Sequence, residues 1–107
     1  MTREEILAMK PGRELNMEVA KQVFNREVVC DSVMGDSERF VDDCGESVWS
    51  NLMPYSEDIS TAEDVVGHMM KQGYNDAATW KDYGGGAYTP AEAICKRALI
   101  AVLGLNP

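Results

Sequence analysis

Glu27-Val28-Val29-Cys30-Asp31-Ser32-Val33 is the stretch on which the fold turns. Before it, apolar residues recur at helical spacing. Here β-branched residues crowd together, and the run stops at Gly35-Asp36. Branched side chains suit a pleated, half-buried surface better than a helix. Downstream, Arg39-Phe40-Val41 and Ser47-Val48-Trp49 flank Asp42-Asp43-Cys44-Gly45-Glu46, which has turn composition. The expectation is a strand followed by a hairpin. So few short strands are not stable alone in water and must pack on helices.

The helices lie on both sides of this stretch. Thr2-x-x-Glu5 has the form of a capping box, opening a short helix to Met9 with Ile6 and Leu7 inward. Lys10 precedes a proline and is pushed out of helical geometry, so Lys10-Pro11-Gly12 interrupts. Pro11 suits the first turn of a second helix reaching Phe24, in which Leu15, Val19 and Val23 form a stripe beside Phe24. Asn25 is a left-handed stop.

After a connection at Pro54-Tyr55-Ser56, Ser60-x-x-Glu63 is a second capping box. Ala62, Val65, Val66, Met69 and Met70 follow at helical spacing, and Gly73 ends the run. His68 falls off that stripe and is expected to face solvent. The aromatic segment from Tyr74 to Tyr88 is irregular, with one more strand expected from Ala77 to Lys81. Thr89-Pro90-Ala91-Glu92 then supplies a cap, an N1 proline and a capping-box glutamate. Ala98 to Leu103 carries no polar residue, so this last helix should be central and buried. Gly104 stops it, with Leu105 folding back on Ile100. The 107 residues therefore read as one α+β domain, a small antiparallel sheet packed with three or four helices.

Eighteen acids against ten bases give a formal charge of −8. Such a chain is repelled by phosphate backbones and anionic lipid, which excludes direct nucleic-acid and membrane partners. No apolar run is long enough to span a bilayer, and Thr2-Arg3-Glu4-Glu5 is unlike a signal peptide, so a cytoplasmic location is expected. Cys30, Cys44 and Cys95 have no zinc-like spacing, even counting His68. They read as free thiols, mostly buried, with no metal and no cofactor. The lone histidine has no nucleophile signature beside it, the acids lack calcium-loop order, and Gly84-Gly85-Gly86 is not followed by Lys-Ser/Thr. No catalytic residues are assigned, and a non-enzyme is expected.

Charge is unevenly placed. Residues 27–64 hold eleven acids and one base, Arg39. One reading is a solvated surface. The other is an anionic docking face built from Asp31, Asp36, Glu38, Asp42, Asp43, Glu46, Glu57 and Asp58. Tyr74, Trp80, Tyr83 and Tyr88 surround the glycine loop. They either anchor that loop by packing or stack on a nucleotide whose phosphates meet Lys71, Lys81, Lys96 and Arg97.

Three stretches, Thr2 to Leu15, Pro54 to Ala62 (PYSEDISTA) and Thr89 to Leu99 (TPAEAICKRAL), together resemble the phage ABA sandwich domain family of small phage and prophage proteins. The resemblance implies helices packed about a β-sheet and a phage origin. It carries no activity and no catalytic residues, since the family has no settled one. Residues 73–88 are shorter than the family's strand-forming stretch, so a reduced sheet is expected, with that segment as an exposed loop. The leading expectation is a phage-encoded accessory protein that binds a host protein, with a counter-defence inhibitor as one form. The alternatives are a sequestering protein for a nucleotide signal and a structural or morphogenesis role. Uncovered sheet edges also raise the expectation of a homo-oligomer.

Overall fold

Helix α4 (Pro90–Val102) runs through the centre of the molecule, with Ala93, Cys95, Ala98, Leu99 and Ile100 wholly enclosed. The computed structural model describes residues 2–31, 33 and 35–105. Thr89 Oγ1 accepts from the Glu92 amide at 3.3 Å to start α4. At its end Gly104 takes φ +70°, and the Leu105 amide donates to the Ile100 carbonyl at 2.9 Å. That is the bond pattern of a left-handed glycine stop. The apolar second half behaves as expected through Ile100, while Ala101, Val102 and Leu103 are half-buried.

Around α4 stand α1 (Arg3–Ala8), α3 (Ile59–Lys71), a 3-10 helix at Ala77–Asp82 and the turn at 19–23 that follows α2 (Arg13–Glu18). The capping box at Thr2 forms in both directions, with the Glu5 amide on Thr2 Oγ1 and the Thr2 amide on Glu5 Oε1. Past Glu18 the α2 helix widens into a π-helical turn over Val19–Val23, which puts Val19, Ala20 and Val23 in the core. Asn25 ends it at φ 54°, as read from the sequence.

Three expectations are corrected. The segment Ala77 to Lys81 is not a strand. Its buried residues, Ala77 and Trp80, are three apart, which aligns side chains in a 3-10 helix, and Thr79 Oγ1 bonds back to the Asp76 carbonyl at 2.7 Å. Helix α3 is capped by Asp58, which accepts from the Ser60 amide at 2.9 Å, rather than by Ser60. Of the cysteines only Cys95 is buried; Cys30 and Cys44 are exposed.

Strands β1 (Glu27–Asp31), β2 (Gly35–Val41) and β3 (Ser47–Asn51) form an antiparallel meander in that order. The register sets Glu27, Arg39 and Trp49 in one row and Val29, Ser37 and Asn51 in another. Residues directly opposite share a face. Val28, Cys30, Asp36, Glu38, Phe40, Val48 and Ser50 therefore lie on one side of the sheet. Glu27, Val29, Ser37, Arg39, Val41, Ser47, Trp49 and Asn51 lie on the other. The first side turns to the helices, and the second is open.

Candidate functional site

The side of the sheet turned to the helices is polar where it meets them. Glu38 is fully buried at the centre of β2, paired with the Arg26 guanidinium. Its oxygens also accept from the Tyr55 hydroxyl at 2.7 Å and the Met53 amide at 3.0 Å. Arg26 sits over the rings of Phe24 and Phe40, at 4.7 and 5.1 Å. Burial, reinforced by the neighbouring Glu38 carboxylate, pushes the Tyr55 phenol well above its usual range. At the edge of this seam Arg13 Nε holds Asp36 Oδ2 at 2.6 Å, and the hydrogen-bonded guanidinium lowers the Asp36 carboxyl below its ordinary value. Next to it, Asn16 Oδ1 accepts from Ser56 Oγ at 2.6 Å and from its amide at 2.8 Å, while Asn16 Nδ2 donates to Glu57 Oε1 at 3.1 Å. Tyr55 and Ser56 of the PYSEDISTA stretch are thus framework.

These contacts disperse the expected acidic face. Glu38 points inward and is corrected from a partner-binding to a structural residue, because an acid closed off from solvent must be paired to stay charged. Asp36 answers Arg13, Glu57 holds Asn16 and Asp58 caps α3. Asp42 makes the hairpin turn, with Oδ1 accepting from the Cys44 and Glu46 amides at 3.0 and 2.9 Å. Asp43 and Glu46 stand exposed on that turn. Asp31 ends β1; its side chain lies outside the described residues.

The open side of the sheet carries what the sequence reading left out. Trp49 is 48% exposed, Val41 64% and Val29 43%, all on that face. Between Glu27 and Trp49, Arg39 bonds Glu27 Oε2 at 3.2 Å and donates to Ser47 Oγ at 3.1 Å. A large indole and two valines are therefore uncovered beside the acidic hairpin end. The signal was period two, which groups these residues once the register is known.

The aromatic quartet is largely taken up in packing. Trp80 is a core residue at 3% exposure, with Tyr74 edge-on at 5.9 Å and the Arg97 guanidinium 5.1 Å from its centroid. Tyr88 lies against Gly84, where a Cβ would meet the ring at 2.6 Å. Lys96 is buried under Tyr88, bonded to Glu92 at 2.7 Å and to the Leu7 carbonyl at 2.8 Å, so it is corrected from a phosphate contact to a core strut. Tyr83 is half-buried, packed on the core. His68, expected in solvent, is half-buried with its ring 4.8 Å from Phe24. A cleft of about 390 Å³ lies there, lined by Phe24, His68, Gln72 and Tyr74. Among the described residues no group of three or more His, Cys, Asp or Glu is placed to hold a metal ion, and no helix is long and apolar enough to cross a membrane. No protein-family model, curated protein or solved structure matches the chain.

Proposed function

We propose that this chain is a non-enzymatic accessory protein that docks on another protein through the open face of its sheet and the acidic hairpin end beside it. The observation that carries the reading is Trp49, half-exposed on a face it shares with Val29 and Val41. An exposed indole on an open sheet face loses apolar surface to any flat partner, and tryptophan is among the residues that dominate binding energy. Asp43 and Glu46 add long-range attraction for a basic partner and speed the encounter. The resemblance to phage ABA sandwich proteins supports a phage origin and a host protein as the partner. Inhibition of a host defence protein by masking a basic surface is the form of this role that the charge favours.

The test is capture from bacterial lysate by immobilised wild type, Trp49→Ser and Asp43→Lys/Glu46→Lys, each checked for folding by circular dichroism. Wild type should retain a protein that Trp49→Ser loses at least about tenfold, the effect expected from removing an interface anchor. Equal retention by all three overturns the reading.

A further inference from the structure

We infer that the free edge of β3 receives the partner, as an extended segment rich in lysine and arginine that joins the sheet as a fourth strand. The inference rests on the protein-docking reading above and names the edge and the chemistry of the occupant.

Backbone phase comes first. The Leu52 amide donates to the Asp36 carbonyl at 3.0 Å and the Asp42 amide to the Glu46 carbonyl at 2.9 Å, bracketing the β2–β3 ladder. Hydrogen-bonded and non-bonded pairs alternate between these ends, so Phe40–Val48 and Glu38–Ser50 are the bonded pairs. Ser47, Trp49 and Asn51 then direct their N–H and C=O groups away from β2, along the outer edge. A strand edge of this kind is a template for another chain unless it is blocked. Residues 47–51 contain no proline and no lysine, and β3 packs chiefly on β2. The β1 edge is different: β1 lies against the 19–23 turn, and Cys30 Sγ is 3.8 Å from Met17 Sδ.

Charge selects the occupant. The β3 strand is preceded by Asp42, Asp43 and Glu46, and Arg39 is the one base in residues 27–64. Arg39 is already held by Glu27 and Ser47. An incoming strand thus meets the exposed Asp43 and Glu46 at the hairpin end of the edge and the Trp49 ring further along it, a surface for an arginine or lysine side chain to cover. A second copy fits less well. Pairing two β3 edges about a two-fold axis would turn the hairpin acids of one chain toward the Asn51 end of the other, and each chain carries −8. Strand addition supplies main-chain bonds, and alternate side-chain contacts supply specificity.

The probe is a short capped peptide alternating valine and arginine, and the readout is amide hydrogen exchange. Saturating peptide should slow exchange at Ser47, Trp49 and Asn51 by about tenfold or more, while Val48 and Ser50, already bonded, stay as they were. The same peptide with alternate amides N-methylated should lose the effect, and one with glutamate for arginine should not bind. No binding of the arginine peptide, binding without slowing at the three amides, or equal action by either control overturns the inference. Slowing that depends on protein concentration without peptide also overturns it, in favour of a second copy. In the lysate capture, Asn51→Pro removes an outward N–H that the ladder does not use. Loss of capture supports the edge. Retention by Asn51→Pro with loss by Trp49→Ser leaves the docking face standing and removes the edge, whereas retention by both removes the two readings together.

Discussion

The hydroxyl of Tyr55 donates to Glu38 Oε1 at 2.7 Å, between residues 2% and 0% exposed, and so ties the middle strand to the segment leading into α3. The sheet contributes little to the apolar core, which is built almost wholly from helices and the connecting segments around them. Its attachment is polar instead, through Glu38 to Arg26, Tyr55 and Met53 and through Asp36 to Arg13.

Glu38→Ala should therefore cost far more than an average strand substitution. It strips three donors of their acceptor at once, the half-buried Arg26 among them. Removal of one member of a buried pair costs roughly 3–5 kcal/mol. Tyr55→Phe loses the bond to the Glu38 carboxylate and the one its hydroxyl accepts from Arg26 Nη1 at 3.0 Å, and should cost at least about 1.5–3 kcal/mol. Urea unfolding followed by circular dichroism measures both, and a loss under about 1 kcal/mol for Glu38→Ala would mean that the sheet is held by something else.

Acid should weaken the second tie. The Asp36 carboxyl is held below its ordinary value of 3.8, chiefly by its hydrogen bond with Arg13. A carboxyl lowered in the folded state stabilises fully above its unfolded value and loses that contribution as pH falls through the folded one. Asp36→Asn should thus melt below wild type near neutrality, with the gap closing in acid. Melting temperature against pH for the two proteins tests this; parallel curves would remove Asp36 from the acid response.

Much of the helical part was legible because its signals are local. Thr2 with Glu5, Asn25, Thr89 with Pro90, and Gly104 with Leu105 each act within one turn, and each does what its sequence context says. The hairpin was legible for the same reason. The inward turn of Glu38 was not, because its partners Arg26 and Tyr55 are 12 and 17 residues away and β2 mixes polar and apolar residues on both faces. Ser60 misled because Asp58, two residues earlier, offers a carboxylate to the same helix start. The open face escaped because Val29, Val41 and Trp49 lie on three strands and share a side of the sheet only through register.

Thiol chemistry separates core from surface. Burial, with a smaller effect from Glu92, pushes the Cys95 thiol far above its ordinary value of 9.0, so its reactive thiolate is suppressed. Cys30 and Cys44 are exposed. Alkylation under native conditions should label Cys30 and Cys44 and spare Cys95 until denaturant is added. Mass spectrometry of peptides reads the sites, and rapid native labelling of Cys95 would mean that α4 opens readily.

The hairpin acids divide between folding and binding. Asp42 Oδ1 takes the amides of Cys44 and Glu46, so Asp42→Ala should destabilise the domain by about 1 kcal/mol, the usual worth of a side chain that satisfies turn amides. The side chains of Asp43 and Glu46 stand outside that pattern, and reversing them relieves repulsion within the turn. Asp43→Lys/Glu46→Lys should keep wild-type stability within about 0.5 kcal/mol, as exposed substitutions do. Its effect should fall on association instead. Steering by exposed charge is screened beyond about 10 Å at 0.1 M salt, so the wild-type on-rate should drop steeply with ionic strength and that of the variant should not. Stopped-flow mixing with the arginine–valine peptide over a salt series gives both slopes. Equal slopes would reduce the two acids to solvated surface and leave Trp49 with the edge of β3 as the remaining determinants of binding.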